Sequence, residues 1–275
     1  MSALVEQPVG IAVVDYGMGN RRSVEKALEH IGVRASVTAE HERLRGADGL
    51  VVPGVGAFPR AMRNLGELGL EDLLRERLAA GTPVLGICLG LQLAFERSSE
   101  RGGAAGLGIV AGEVRPLDAA GLKLPHIGWN EVRFARPQSQ LIADLPRACA
   151  FYHVHSFAPV PASSANVLGV ADYGGPFVTA VEAPPFYGVQ FHPEKSSAAG
   201  LRLLANFARI CVAEQAPGRQ APGGQAPAAQ TPGAQAPAGQ TPAAHTQAAH
   251  TRAARATGPA VPAGGNPSGE AVPCG

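Results

Sequence analysis

Thr82-Pro83-Val84-Leu85-Gly86-Ile87-Cys88-Leu89-Gly90 is the stretch on which the fold turns. Its apolar run predicts a strand buried on both faces, and its glycine-flanked cysteine predicts a sharp turn into a helix over residues 91–97. A nucleophile on such a turn needs small residues two before and two after it, because the backbone doubles back there. The geometry is that of the G-x-S-x-G elbow, with sulfur in place of oxygen. The turn lifts the sulfur above the sheet and sets it beside free N–H groups that favour negative charge. An unperturbed thiol, with a pKa of about 8.5, is only a few per cent ionised at neutral pH. A helix N-terminus and a nearby histidine both lower that value. On the pentapeptide alone, a packing cysteine between two glycines is the competing reading.

Working outward toward the amino terminus, residues 10–15 (GIAVVD) form another short apolar run of the doubly buried type. After the turn Tyr16-Gly17-Met18-Gly19-Asn20, apolar Val24, Ala27, Leu28 and Ile31 fall at helical offsets 0, 3, 4 and 7, and Gly32 closes the helix. Residues 34–38 and 49–52 read as further strands, with a helix over 70–80. Strand, helix, strand in this rhythm predicts a parallel α/β sheet. Beyond the elbow, short apolar or alternating runs at 110–117, 131–134, 150–157, 167–170, 178–181 and 187–191 predict antiparallel additions. A last packed helix contains Leu201, Leu204, Phe207 and Ala208.

A cysteine nucleophile needs a base and a group that orients the base. Of six histidines before residue 215, His30 and His41 lie in polar, surface-like contexts. His192 follows an apolar strand in Gly188-Val189-Gln190-Phe191-His192-Pro193-Glu194, and strand ends of open α/β sheets are where sites form. Pro193 stiffens the turn, and Glu194 can reach back to the imidazole. Pro53-Gly54-Val55-Gly56-Ala57-Phe58 adds a strand-end loop whose two glycines free backbone N–H groups to approach an oxyanion. Taken alone, that loop reads equally as an ordinary glycine-rich turn.

PGVGAF, GICLGLQ, PHIGWN, HVHS and GVQFHPEKS, in this order and at these separations, resemble the class I (triad-type) glutamine amidotransferases. DYGMGN, PGVGAF and PHIGWN point within them to the glutaminase subunits of imidazole glycerol phosphate synthases. The likeness runs from about residue 10 to about residue 211. It implies a three-layer α/β fold with a mainly parallel central sheet and antiparallel additions. It implies that Cys88 forms a γ-glutamyl thioester, that His192 is general base and acid, and that Glu194 orients it. The backbone of Leu89 with Gly54 and Val55 would form the oxyanion hole, after a rearrangement of the 53–56 segment. The resemblance places glutamine contacts at Gly56, Gln92, Glu100, His155 and Ser156. The implied partner is a (β/α)8-barrel cyclase that receives ammonia through a protected channel to make imidazole glycerol phosphate and AICAR. Asn20, Trp129 and Lys195 match positions at or near that interface, although Trp129, the only tryptophan, reads equally as a core anchor. Two departures stand out: Arg21, where leucine is common, and His153, where relatives often carry an aromatic residue.

His153 and His155 face the same side of a strand, but no carboxylate or cysteine has helpful spacing for a metal, so none is expected. Gly17-Met18-Gly19 falls short of a dinucleotide fingerprint because Arg22 stands at the third glycine position, and no cofactor is needed. A free-standing γ-glutamyl hydrolase would work without a partner. A non-catalytic subunit would be expected to lack Cys88, His192 or Glu194.

The chain then changes character. From residue 215 it reads QAPGR-QAPGG-QAPAA-QTPGA-QAPAG-QTPAA, with no Leu, Ile, Phe or Trp to offset the entropy of ordering. The expected organisation is therefore a glutaminase domain over 1–213 and a disordered repeat tail over 214–275. Collagen-like periodicity is absent. The segment from 215 carries three arginines and one glutamate, leaving 20 basic and 21 acidic residues before it. That near-neutral balance gives no electrostatic case for nucleic acid or an anionic membrane. Four cysteines (Cys88, Cys149, Cys211 and Cys274) without paired spacing, no leader-like amino terminus and no long apolar segment predict a cytoplasmic protein.

Overall fold

The computed structural model describes residues 9–214; the tail expected over 214–275 lies, but for its first residue, outside the described residues. The chain begins β1 (Gly10–Val14), α1 (Arg21–His30), β2 (Arg34–Thr38), α2 (His41–Arg45), β3 (Gly49–Gly54), α3 (Phe58–Glu67), α4 (Leu70–Ala79), β4 (Val84–Cys88) and α5 (Leu89–Leu93). It continues as β5 (Phe95–Ser98), β6 (Ala104–Ala105), β7 (Val110–Pro116), β8 (His126–Phe134), β9 (Ala148–His155) and β10 (Phe157–Pro161). It ends with β11 (Val167–Asp172), β12 (Pro176–Ala183), β13 (Phe186–Val189) and α6 (Ser197–Ala213).

Nine strands form the central sheet in the order β2-β1-β3-β4-β13-β12-β11-β8-β9. The first five are mutually parallel, and β12, β11, β8 and β9 extend the sheet by antiparallel pairing. The apolar runs are continuous because both faces are covered. Ile11 and Val13 enter one core layer with Leu28 of α1 and Leu203 and Phe207 of α6. Ala12 and Val14 enter the other with Phe58 and Leu65 of α3 and Leu73 of α4. Burying each such Leu, Val or Phe contributes roughly 1.5–3 kcal/mol relative to exposure. Helix α1 ends where expected, with the Gly32 N–H on the Glu29 carbonyl at 3.0 Å and φ of +83°.

Four expectations need correction. The run at 187–191 is not an antiparallel addition: β13 pairs in parallel with β4 and belongs to the parallel core. The helix expected over 91–97 stops at Leu93. The carbonyls of Leu93 and Ala94 accept from Leu107, Ile109 and Val110 instead, and the chain leaves as β5. That strand joins β10, β7 and β6 in a separate four-stranded sheet, so the run at 110–117 lies outside the central sheet. Finally, α3 starts immediately after Ala57, inside what the sequence suggested was only a loop. Phe58, Ala61, Met62 and Leu65 form its buried stripe.

Candidate functional site

Cys88 is the last residue of β4 and holds φ +53° and ψ −105°, a conformation few non-glycine residues adopt. The flanking glycines make it attainable. A Cβ on Gly86 would stand 2.6 Å from the Gly90 carbonyl oxygen, and a Cβ on Gly90 would overlap the Val52 carbonyl oxygen. The elbow is thus pressed against β3, with α5 springing directly from the cysteine. Because α5 is only five residues long, an anion at this sulfur would meet the free N–H groups of its first turn rather than a long helix dipole.

Parallel pairing of β4 with β13 aligns Gly188 with Gly86 and Val189 with Ile87. The next residue on the β13 side is Gln190, and its Nε2 lies 3.5 Å from the Cys88 sulfur. Two residues on, past the end of β13, is His192, fully buried. Its backbone is fixed by an N–H bond to Tyr152 O at 2.9 Å and a carbonyl that accepts from Ser196 Oγ at 2.7 Å. Nδ1 donates to Glu194 Oε1 at 2.8 Å, and both side chains are wholly removed from solvent. Nε2 is buried and has no hydrogen-bond partner of its own. With Nδ1 committed to Glu194, Nε2 is the nitrogen available to exchange a proton with Cys88 or substrate.

Burial alone would push the His192 pKa down. The adjacent Cys88 sulfur and the bonded Glu194 carboxylate oppose it and carry the value up to about 10. The imidazolium is therefore the favoured form of His192. Asn20 supports the carboxylate: its Nδ2 donates to Glu194 Oε1 at 2.6 Å and lies 3.2 Å from His192 Nδ1. Asn20 reaches there from a left-handed conformation, φ +79°, at the start of α1. The sequence suggested Asn20 only as an interface position; its bond to the histidine-orienting carboxylate is an addition.

A cleft of about 330 Å³ opens at the sulfur and is lined by Val55, Gly56, Cys88, Leu89, Gln92, Glu100, His155 and Ser156. These are eight of the residues that sequence reasoning singled out; Gly54 lies behind them at the end of β3, paired with Cys88. Gln92 is buried and engaged, donating to Phe157 O at 3.0 Å and Gln190 Oε1 at 3.1 Å. Glu100 accepts the N–H of Phe58 at 2.8 Å, capping α3 while facing the cleft. Burial pushes the His155 pKa down to about 3, so its ring is neutral. Nδ1 bonds Phe157 O at 2.9 Å and Nε2 meets His126 Nδ1 at 3.2 Å, which fixes the ring against the cleft wall.

On the outside of this region Trp129 is 54 % exposed, which removes the core-anchor reading. It lies edge-on to Tyr152, 6.3 Å between centroids, and the exposed Lys195 holds its Nζ 6.0 Å above the same ring. Arg21 is ion-paired with Asp15, which closes the turn between β1 and α1. His153 is buried, stacks on His126 at 5.1 Å and meets Thr179 Oγ1 at 2.8 Å.

Sequence reasoning missed Gln190 as a neighbour of the sulfur and Ser196 as a brace for His192. A buried glutamine inside an otherwise apolar strand, two residues before the histidine, was the available signal for the first.

The arrangement has the parts for nucleophilic acyl transfer. The glutamine amidotransferase class-I family model matches residues 12–211. Among similar proteins, the imidazole glycerol phosphate synthase subunit HisH of Moorella thermoacetica is 48% identical over 200 residues, covering 73% of this chain and 94% of that protein. The HisH subunit of Aquifex aeolicus is 50% identical over 198 residues, covering 72% and 95%. Among solved structures, PurLQS from Thermotoga maritima shares the fold with a TM-score of 0.59 at 15% identity, over 74% of this chain and 99% of that one. By these matches the chain belongs to the class-I glutamine amidotransferases, in the family of imidazole glycerol phosphate synthase HisH subunits.

Proposed function

We propose that this chain hydrolyses L-glutamine to L-glutamate and ammonia, and hands the ammonia to the cyclase subunit of an imidazole glycerol phosphate synthase in histidine biosynthesis. The observation that carries the reading is the buried Glu194–His192 pair beside a cysteine on a strained elbow at the floor of a cleft.

The Cys88 thiolate attacks the side-chain carboxamide carbon. The oxyanion that forms is received by the N–H of Leu89 and by the 54–55 peptide. Collapse breaks the C–N bond, and the imidazolium of His192 gives its proton to the leaving nitrogen, releasing ammonia. A water then loses a proton to His192 Nε2 and attacks the thioester, so that glutamate leaves and the thiolate returns. Glu194 holds the imidazole orientation throughout, and Asn20 holds Glu194. Gly56, Gln92, Glu100, His155 and Ser156 shape the cleft for the amino-acid end of glutamine. No step calls for a metal or organic cofactor.

The partner in this reading is a (β/α)8-barrel cyclase forming a heterodimer, with Trp129 and Lys195 at the contact and Asn20 just inside it. A thiol nucleophile must remain reduced, which fits a cytoplasmic setting. Cys88, Cys149 and Cys211 are all free, and no helix among the described residues is long and apolar enough to cross a membrane.

The test is glutamate production from glutamine by the full chain, alone and with a cyclase partner carrying its phosphoribosyl substrate analogue. Stimulation by the partner, abolished in Cys88→Ala, is the expected result. Full activity without the partner would instead mark a stand-alone hydrolase, and absence of activity in both conditions would overturn the reading.

A further inference from the structure

We propose that Tyr16 is a positioning residue that latches the oxyanion segment in its resting arrangement, through a hydrogen bond from its hydroxyl to the carbonyl of Pro53. The inference rests on the functional reading just given.

Tyr16 follows β1 and is completely buried. Its hydroxyl donates to Pro53 O at 2.7 Å. That carbonyl belongs to the peptide joining Pro53 to Gly54, the one immediately before the 54–55 peptide that would receive the oxyanion. A hydrogen bond to one peptide restrains rotation of the next, because the two share only the Gly54 dihedrals. Gly54 is fitted to the latch: a Cβ there would collide with the Tyr16 hydroxyl and press on Leu89 Cβ at 3.2 Å. The same lack of a side chain leaves the segment free to turn once the bond is released.

The hydroxyl is a durable donor. Burial first, then the nearby charge of Cys88, raises the Tyr16 pKa well above the ordinary phenol range.

The loop that follows Tyr16 also grips the segment further on. A Cβ on Gly56 would stand 2.6 Å from Met18 Cε, and one on Gly19 would stand 2.9 Å from Val55 Cγ2. Asn20, the last residue of that loop, bonds Glu194. One five-residue turn thus holds the carboxylate that orients His192 and the peptide that must accept negative charge. A partner that shifts this turn would act on both at once.

Tyr16→Phe keeps the ring and removes only the bond. The experiment compares it with wild type in three readouts on the full chain. These are glutamine hydrolysis alone and with the cyclase partner, the thermal midpoint, and amide hydrogen exchange at Gly54 and Val55. The expected result is an unstimulated kcat roughly five- to tenfold higher, in line with the loss of one buried hydrogen bond. The stimulated kcat and the KM for glutamine should stay within about twofold, so that the stimulation ratio shrinks, and exchange at Val55 should quicken. An unchanged unstimulated rate in a stimulable enzyme overturns the latch, as does a fall in both rates, which would assign the hydroxyl to the reactive arrangement. If the wild type shows no glutaminase activity at all, the functional reading is what fails. Val55 exchange then decides the latch separately, and unchanged exchange overturns it.

Discussion

Asn20 Nδ2 donates to Glu194 Oε1 at 2.6 Å, across 174 positions of sequence. The bond joins the first turn of the fold to the carboxylate that holds His192. Its removal in Asn20→Ala is expected to lower kcat about tenfold while leaving the KM for glutamine within about twofold, the pattern for an interaction that matters more in the transition state. Asn20→Asp should be worse, because it sets a second carboxylate against the first. Steady-state kinetics on both variants, with the partner present, checks the order.

The raised pKa of His192 gives a pH signature. The folded-state value, about 10, exceeds the ordinary value of 6.5, so the proton stays bound through neutral pH. The stability that this pair contributes is fully present below about pH 6.5 and is lost as pH rises through about 10. Glu194→Gln removes one of the two supports. Its thermal midpoint should fall short of wild type by most at neutral and lower pH, with the gap narrowing toward pH 10, and the alkaline limb of its kcat/KM profile should move down. A gap that widens with pH would contradict this assignment.

His153 and His155 predict the opposite trend. Burial, with smaller contributions from neighbouring histidines, pushes both down to about 3. The unfolded chain therefore binds more protons than the folded one between about 6.5 and 3, and stability is lost as pH falls through that window. His153→Phe restores an aromatic ring without the ionisable group. It is expected to reduce the difference in thermal midpoint between pH 7.5 and pH 5, read by circular dichroism.

Gly90→Ala tests the elbow. The added methyl would overlap the Val52 carbonyl oxygen, which is backbone and cannot swing away. A loss of about 3 kcal/mol or more in urea unfolding is expected, in the range of overpacked cores. Gly32→Ala meets nothing within 4 Å. Only its φ of +83° opposes that change, and a loss of about 1 kcal/mol is expected.

Trp129 lies half-exposed against Tyr152, with Lys195 over the same ring. Trp129→Ala should leave the isolated chain's midpoint nearly unchanged and weaken cyclase binding by ten- to a hundredfold, about 1.4–2.7 kcal/mol, as expected of an aromatic anchor at an interface. Titration calorimetry with the partner distinguishes this from a purely structural role, which would lower the midpoint instead.

The sequence was most legible where the chemistry is local. Gly86, Cys88 and Gly90 declare a turn whatever surrounds them, and the apolar runs of β1, β3 and β4 declare doubly covered strands. His192 and Glu194 were legible because both sit within one strand-end turn. What stayed hidden depended on distant partners. Phe95–Ser98 becomes a strand only because β7 and β6 offer backbone groups to it, and a periodicity argument cannot see those. The direction of β13 depends on which neighbour it meets, and nothing in Phe186–Val189 distinguishes parallel from antiparallel pairing. Asn20 and Tyr16 have unremarkable local contexts, and their partners Glu194 and Pro53 lie 174 and 37 positions away, while Gln190 stands out in its apolar run but meets Cys88 only 102 positions away.

The parallel pairing of β4 with β13 also bears on when the chain can become reactive. In the proposed reaction the nucleophile is complete once residue 88 has been synthesised, but its base arrives with a strand that must insert between β4 and β12, about a hundred residues later. A nascent chain halted anywhere before that insertion carries a cysteine with no proton-transfer partner. On that reading the proton-transfer pair comes together only when β13 closes the sheet between β4 and β12.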